Sequence, residues 1–154
     1  MQTDNYRING GCHCGNIRVK LELTRAPVTY NPRACDCDFC RKHGTAYLSD
    51  PNGSLSIRIK DRERVVRYRH GLGIAEFILC GSCGVMVAVK LHVEGWLHAV
   101  CNVRAIDGGT QFGEEEPVSP KNLSASERTA RWQRLWFRNV SIVSEDVSAH
   151  LTAV

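Results

Sequence analysis

Ile17-Arg18-Val19-Lys20-Leu21-Glu22-Leu23 alternates apolar and charged residues with a period of two. Successive side chains of an extended chain point to opposite faces, so this stretch reads as a strand with one face buried and one in water. Leu55-Ser56-Ile57-Arg58-Ile59 repeats the pattern. Val65 to Arg69, Ala75 to Leu79, Val85 to Leu91 and Trp96 to Val103 are further strand-like runs. Turn signals separate them: Gly10-Gly11, Asp50-Pro51-Asn52-Gly53, Gly71-Leu72-Gly73, Gly81 and Gly84. No helical segments alternate with these strands, which predicts a mainly β fold built on antiparallel sheets.

Beyond Asp107 the character changes. Gly108 to Pro120 holds three glycines, three consecutive glutamates and two prolines, and reads as an exposed loop. Ser124-Ala125-Ser126-Glu127 then has the form of a capping box, in which serine and glutamate satisfy opposite orphan amides. A short helix over residues 125–137 follows, with Trp132, Leu135 and Trp136 on one face packed against the sheet, and Val140 to Val143 as a last strand.

With 154 residues, 43% of them hydrophobic and 23% charged, the chain suits one domain with its own core and is not a disordered segment. Its longest apolar run, Val85 to Val89, is strand-sized, far below the roughly 20 residues of a membrane-spanning helix. Met1 to Gly10 is polar and lacks the apolar stretch of a secretory signal, so the expected location is cytoplasmic. Eight cysteines are then the unusual feature, because a reducing compartment turns clustered thiols toward metal or redox chemistry rather than disulfides.

Seven of the eight fall in three groups: Cys12-His13-Cys14-Gly15, Cys35-Asp36-Cys37-Asp38-Phe39-Cys40, and Cys80-Gly81-Ser82-Cys83-Gly84. A tetrahedral zinc with Zn–S bonds near 2.3 Å needs sulfurs about 3.8 Å apart. Cysteines at i and i+2 of a flat strand are about 6–7 Å apart at the backbone, so the first pair converges only if the chain bends there. Gly10, Gly11 and Gly15 permit that bend, and Gly81 and Gly84 permit the knuckle around Cys80 and Cys83. Together Cys12, Cys14, Cys80 and Cys83 make one closed four-thiolate site with a structural role. No βαβ context accompanies the Cys-x-x-Cys pair, which weighs against a thioredoxin-like role.

The middle group supplies three sulfurs within six residues and no obvious fourth ligand. Three protein ligands and one free position are the pattern of a catalytic zinc, and a second thiol suits that position well. Cys101 or His43 could instead close the site. Arg33, Arg41, Lys42 and His43 surround the cluster as candidates to pair with carboxylates, and Asp36, Asp38 or His43 as candidates to carry a proton. The net charge of +4 invites a nucleic-acid reading, supported by Arg58, Lys60, Arg62, Arg64, Arg67 and Arg69. Asp61 and Glu63 partly cancel that run, and seven thiolates with two Zn2+ would bring +4 to about +1.

Gly11-Cys-x-Cys-Gly15, Cys35-x-Cys-x-x-Cys40-Arg41 and Cys80-x-x-Cys-Gly84, in this order and at these intervals, resemble the glutathione-dependent formaldehyde-activating enzyme family. The resemblance covers about residues 8–107 and leaves 108–154 as an extension of the same domain. It implies a zinc-bearing β-tent similar to that of methionine sulfoxide reductase B. It also implies a structural Zn2+ on Cys12, Cys14, Cys80 and Cys83, and a catalytic Zn2+ on Cys35, Cys37 and Cys40. The implied activity is that of a carbon–sulfur lyase joining glutathione to formaldehyde or another small carbonyl compound, with a small thiol and an aldehyde as partners. Two rivals stand beside it. One is a methionine sulfoxide reductase B-like enzyme with Cys101 as nucleophile, and the other is a zinc-stabilised module that binds nucleic acid or protein without catalysis.

Overall fold

The computed structural model describes residues 5–145; the first residues of the polar N-terminus and the end of the 108–154 extension lie outside them. Eleven strands and two α-helices follow one another as β1 (Tyr6–Gly11), β2 (Ile17–Leu23), β3 (Arg33–Cys35), α1 (Asp38–His43), β4 (Tyr47–Leu48), β5 (Ser54–Ile59), β6 (Val65–Tyr68), β7 (Glu76–Cys80), β8 (Met86–Val93), β9 (Trp96–Asn102), β10 (Glu116–Val118), α2 (Ala125–Leu135) and β11 (Asn139–Ser144). A four-stranded sheet has the order β1-β2-β5-β11, and a seven-stranded sheet the order β10-β3-β4-β9-β8-β7-β6. The fold is therefore mainly β, as the alternating runs predict.

The period-two pattern fixes which face each strand buries. Ile17, Val19, Leu21 and Leu23 point inward from β2 and are at most 1% exposed, while Lys20 faces solvent. They meet Leu55, Ile57, Ile59 and Ile142 of their own sheet and Leu48, Ile78, Ala99 and Cys101 of the other, in one core between the two sheets. The opposite face of the seven-stranded sheet carries a second cluster, with Tyr47, Phe77, Val89, Leu91 and Val100 under Trp136 of the C-terminal segment. A register shift between Ile78 and Leu79, opposite Met86 and Ala88, lets Val87 and Ala88 both turn toward the inner core. Along β9 the alternation is strict: Ala99 and Cys101 face the inner core and Val100 the outer cluster.

The extension is woven into both sheets. β10 pairs with β3 and β11 with β5, and both pairings are parallel, an exception to the antiparallel rule that holds elsewhere. Parallel neighbours need long connections, and these strands reach theirs from far along the chain. β10 lies within the stretch that reads as an exposed loop. α2 starts as the capping pattern requires, with the Glu127 amide donating to Ser124 Oγ at 3.2 Å. Ser124 Oγ also donates to Glu127 Oε1 at 2.9 Å, so the glutamate engages the hydroxyl. The helix ends at Leu135 rather than at 137, because Phe137 leaves it to exchange backbone hydrogen bonds with Ala99 and sinks fully into the core. No described helix is long and apolar enough to cross a membrane.

Candidate functional site

The first and third cysteine groups sit at the turns joining β1 to β2 and β7 to β8, one turn from each sheet. Each turn folds its backbone around its leading sulfur. The Ile17 amide donates to Cys12 Sγ at 3.2 Å, and the Cys83 amide to Cys80 Sγ at 3.4 Å. Both turns close through a glycine in the left-handed region, Gly15 at φ 85° and Gly84 at φ 81°, where a side chain would be strained. The result brings Cys14 Sγ to 3.7 Å from Cys12 Sγ and 3.5 Å from Cys80 Sγ. All four sulfurs, Cys83 included, lie within 4.8 Å of one another, close to the edge of a thiolate tetrahedron.

Cys35, Cys37 and Cys40 come from one continuous segment. Cys35 ends β3, Cys37 caps α1 by accepting the Cys40 amide at 3.5 Å, and Cys40 lies in the helix, 2% exposed. Gly44, left-handed, stops α1 after six residues. The three sulfurs also lie within 4.8 Å of one another, a second group whose soft donors could hold a metal ion. Tyr47 adds a hydroxyl 3.1 Å from Cys40 Sγ. A hydrogen bond from the Cys40 thiol brings Cys35 down to about 6, while that same contact and burial push Cys40 up. One sulfur of the trio is thus already disposed to be a thiolate.

The trio opens onto a cavity of about 450 Å³. Tyr47, Phe77, Val89 and Val100 of the outer sheet face line it, together with Phe39 of α1, His70 to Ala75 (without Gly73) before β7, and Arg128, Arg131, Trp132 and Trp136. Arg33 lines it too, donating to Ser49 Oγ at 2.6 Å. Burial, with the charge of Arg131 next, lowers Arg33 to about 10, which leaves it a cation at neutral pH. Arg131 lies close enough to disfavour the charge of Arg33, and two guanidinium groups lining one cavity make a place for an anion. His70 Nε2 and Arg128 Nε are buried without a hydrogen-bond partner, so a ligand's polar atoms would complete them.

The structure does not gather all the sequence candidates here. Arg41, Lys42 and His43 are exposed on α1 and do not line the cavity; His43 packs its ring 4.6 Å from Phe39. Asp38 reaches the cavity, whereas Asp36 receives the Ser119 hydroxyl at 2.5 Å and lies 3.7 Å from Lys121 Nζ. Neither Cys101 nor His43 belongs to the trio's sulfur group. Cys101 is fully buried between the sheets and its thiol is pushed up to about 12 by burial, an environment without the access or charge a nucleophile needs. The basic run is divided, Arg58 lying on β5 of one sheet and Arg67 on β6 of the other. Arg58 pairs with Glu145 at 3.2 Å and Arg69 with Glu76 at 3.1 Å, so no single basic face results.

Tyr47, His70, Arg128 and Arg131 carried no sequence signal as site residues. They are isolated in the chain and meet only through β4, the loop before β7, and α2. The tryptophans did carry one, the apolar face of the capped helix. Trp136 packs on the outer cluster as that face predicts, and both Trp132 and Trp136 also line the cavity.

A crystal structure of a Rhodobacter sphaeroides protein, a structural-genomics target, is similar at 29% identity with a TM-score of 0.48, over 66% of this chain and 90% of that one. The profile of the glutathione-dependent formaldehyde-activating enzyme family matches residues 7–121, about three quarters of the sequence and all seven clustered cysteines. On this match the chain belongs to the glutathione-dependent formaldehyde-activating enzyme family.

Proposed function

We propose that the chain is a cytoplasmic, zinc-dependent carbon–sulfur lyase that adds glutathione or a similar thiol to formaldehyde or another small carbonyl compound. The observation that carries this reading is the contrast between the two sulfur groups. Four thiols from two turns gather within 4.8 Å of one another, as many as a tetrahedral ion takes, while three thiols from one segment face a cavity. Cys12, Cys14, Cys80 and Cys83 would hold a structural Zn2+, and Cys35, Cys37 and Cys40 a reactive one. Zinc on the trio supplies Lewis acidity and affinity for an incoming thiolate.

The chain's own residues do the rest. Arg33 and Arg131 pair with carboxylates of the tripeptide and fix its thiol toward the sulfur trio. Tyr47 holds Cys40 Sγ through its hydroxyl. His70, the only histidine lining the cavity among the described residues, has an Nε2 without a hydrogen-bond partner that takes up the thiol proton and returns it to oxygen. In the addition a carbon–sulfur bond forms, the carbonyl π bond opens, and the thiol proton ends on the former carbonyl oxygen; the lyase direction reverses each change. Arg41 and Lys42, exposed on α1 outside the cavity lining, act on glutathione only by long-range attraction, and His43 packs on Phe39.

Metal analysis with and without glutathione, joined to a screen of small aldehydes, tests the reading. Cys37→Ser should retain about one zinc per chain instead of two and lose aldehyde-dependent consumption of glutathione. Full turnover in that variant would refute it.

A further inference from the structure

The cavity is more apolar than its proposed occupants require. Formaldehyde is scarcely bigger than a water molecule, whose share of liquid volume is about 30 Å³. Glutathione is a polar tripeptide with nothing broader than a methylene to set against an aromatic wall. A volume of about 450 Å³ falls in the range of sites for drug-sized ligands, about 300–1,000 Å³, a range that glutathione itself calls for, so the lining rather than the size is the informative feature. Phe39, Phe77, Leu72, Ile74, Trp132 and Trp136 line it beside the sulfurs. Leu72 stands 58% exposed, apolar surface left in water until something covers it.

The two indoles are arranged as a platform. Trp132 and Trp136 stack with centroids 4.9 Å apart at 24°, and Trp136 is anchored at 5% exposure, leaving half-buried Trp132 as the adjustable member. The Arg128 guanidinium lies 5.9 Å from the Trp132 ring centre. Trp132 lies on α2, which begins at Ala125, and Trp136 directly follows that helix, both beyond the residue 121 at which the family match ends.

We propose that the carbonyl partner of this protein carries a benzene-sized apolar group, seated on the Trp132–Trp136 platform, and that Trp132 determines this specificity. The inference rests on the glutathione reading for how the thiol is held. The apolar group accounts for the aromatic lining, while Arg33 and Arg131 remain for the carboxylates.

Two stable thioethers stand for the two adducts: S-methylglutathione for that of formaldehyde and S-benzylglutathione for that of an aromatic aldehyde. Calorimetric titration of the full chain should show the benzyl compound binding at least about tenfold more tightly, with the more negative heat-capacity change that apolar burial produces. Trp132→Gln should abolish the difference, and Trp132→Phe should keep it. Equal affinities and heat-capacity changes in the natural chain would overturn the inference without any variant, as would a benzyl preference that survives Trp132→Gln. The glutathione reading would stand in either case. Benzaldehyde alone is the third ligand. Its binding, lost in Trp132→Gln while neither conjugate binds, would uphold the platform and refute glutathione as the thiol. Binding of none of the three would refute both.

Discussion

Replacing Cys83 by serine should destabilise the fold far more than replacing Cys37, although each removes one sulfur from a cluster. The reason is the length of chain each cluster closes. Cys14 and Cys80, 66 residues apart in sequence, meet at 3.5 Å and join a turn of the four-stranded sheet to a turn of the seven-stranded one. A metal at that junction cross-links the unfolded chain much as a disulfide would, and chain entropy for a loop of this length gives about 4 kcal/mol. The trio closes only the short segment from Cys35 to Cys40, for which the same relation gives about 2 kcal/mol. Cys83 is only partly buried, so its loss as packing is minor and the effect reports the cross-link. For a chain of this length about 4 kcal/mol lowers Tm on the order of 10 °C, and the two variants should differ by about half that. Thermal unfolding followed by circular dichroism, with zinc counted per chain on the same samples, is the assay. Equal shifts in Tm with equal loss of metal would refute the division into a structural and a reactive site.

Asp50 should make stability depend on pH. It is 4% exposed and accepts from Tyr30 Oη at 2.6 Å, the Thr24 hydroxyl at 2.7 Å, and the Thr24 and Asn52 amides at 2.9 Å. Burial alone would raise its carboxyl, but these donors outweigh it and hold it below the usual range. Its contribution is therefore complete above an ordinary aspartate pKa of about 3.9 and is lost as pH falls through the lower folded value. Urea midpoints should fall across that window in the natural chain and less in Asp50→Asn, while Asp50→Ala should cost about 3 kcal/mol at neutral pH. Gly10→Ala should cost about 2 kcal/mol or more, because its Cβ would meet the Ala105 carbonyl and stand 2.9 Å from the Ile106 Cα where β1 bridges that segment. Gly109→Ala, with nothing within 4 Å, should be neutral by the same denaturation measurement.

The strands that announce themselves in the sequence are those with one wet face. β2 and β5 alternate because their outer side chains stay in water, and β7, β8 and β9 stand out as β-branched and apolar runs. β3, β4 and β10 have two or three residues each and exist because neighbours offer backbone partners, so no periodicity could mark them. β10 is the plainest case. Glu116-Pro117-Val118 has the composition of a loop and becomes a strand by lying parallel to Arg33-Ala34-Cys35. Tertiary pairing overrides propensity there. The overlong expectation for α2 has the same cause, since Phe137 gains more from the core than from another helical turn.

The difference between a group of four sulfurs and a group of three follows from topology more than from ligand chemistry. Two turns approaching from separate sheets can each present two sulfurs, and four thiols then lie within 4.8 Å of one another. Three sulfurs strung along a single strand-to-helix junction lie on one side of any ion they share, and the outer sheet face provides the opposite side. Period two decides what stands there. Val100 points outward and Cys101 inward, so the nearest cysteine on β9 is turned away from the trio by its place in the alternation. A cysteine one residue earlier would have faced the cavity that Val100 lines. Val100→Cys should therefore bring a fourth thiol to that lining, tightening metal retention against a chelator at the expense of any turnover that needs an entering thiol. Unchanged metal retention, with that cysteine reduced, would show that Val100 does not face the trio closely enough for the topological argument to hold.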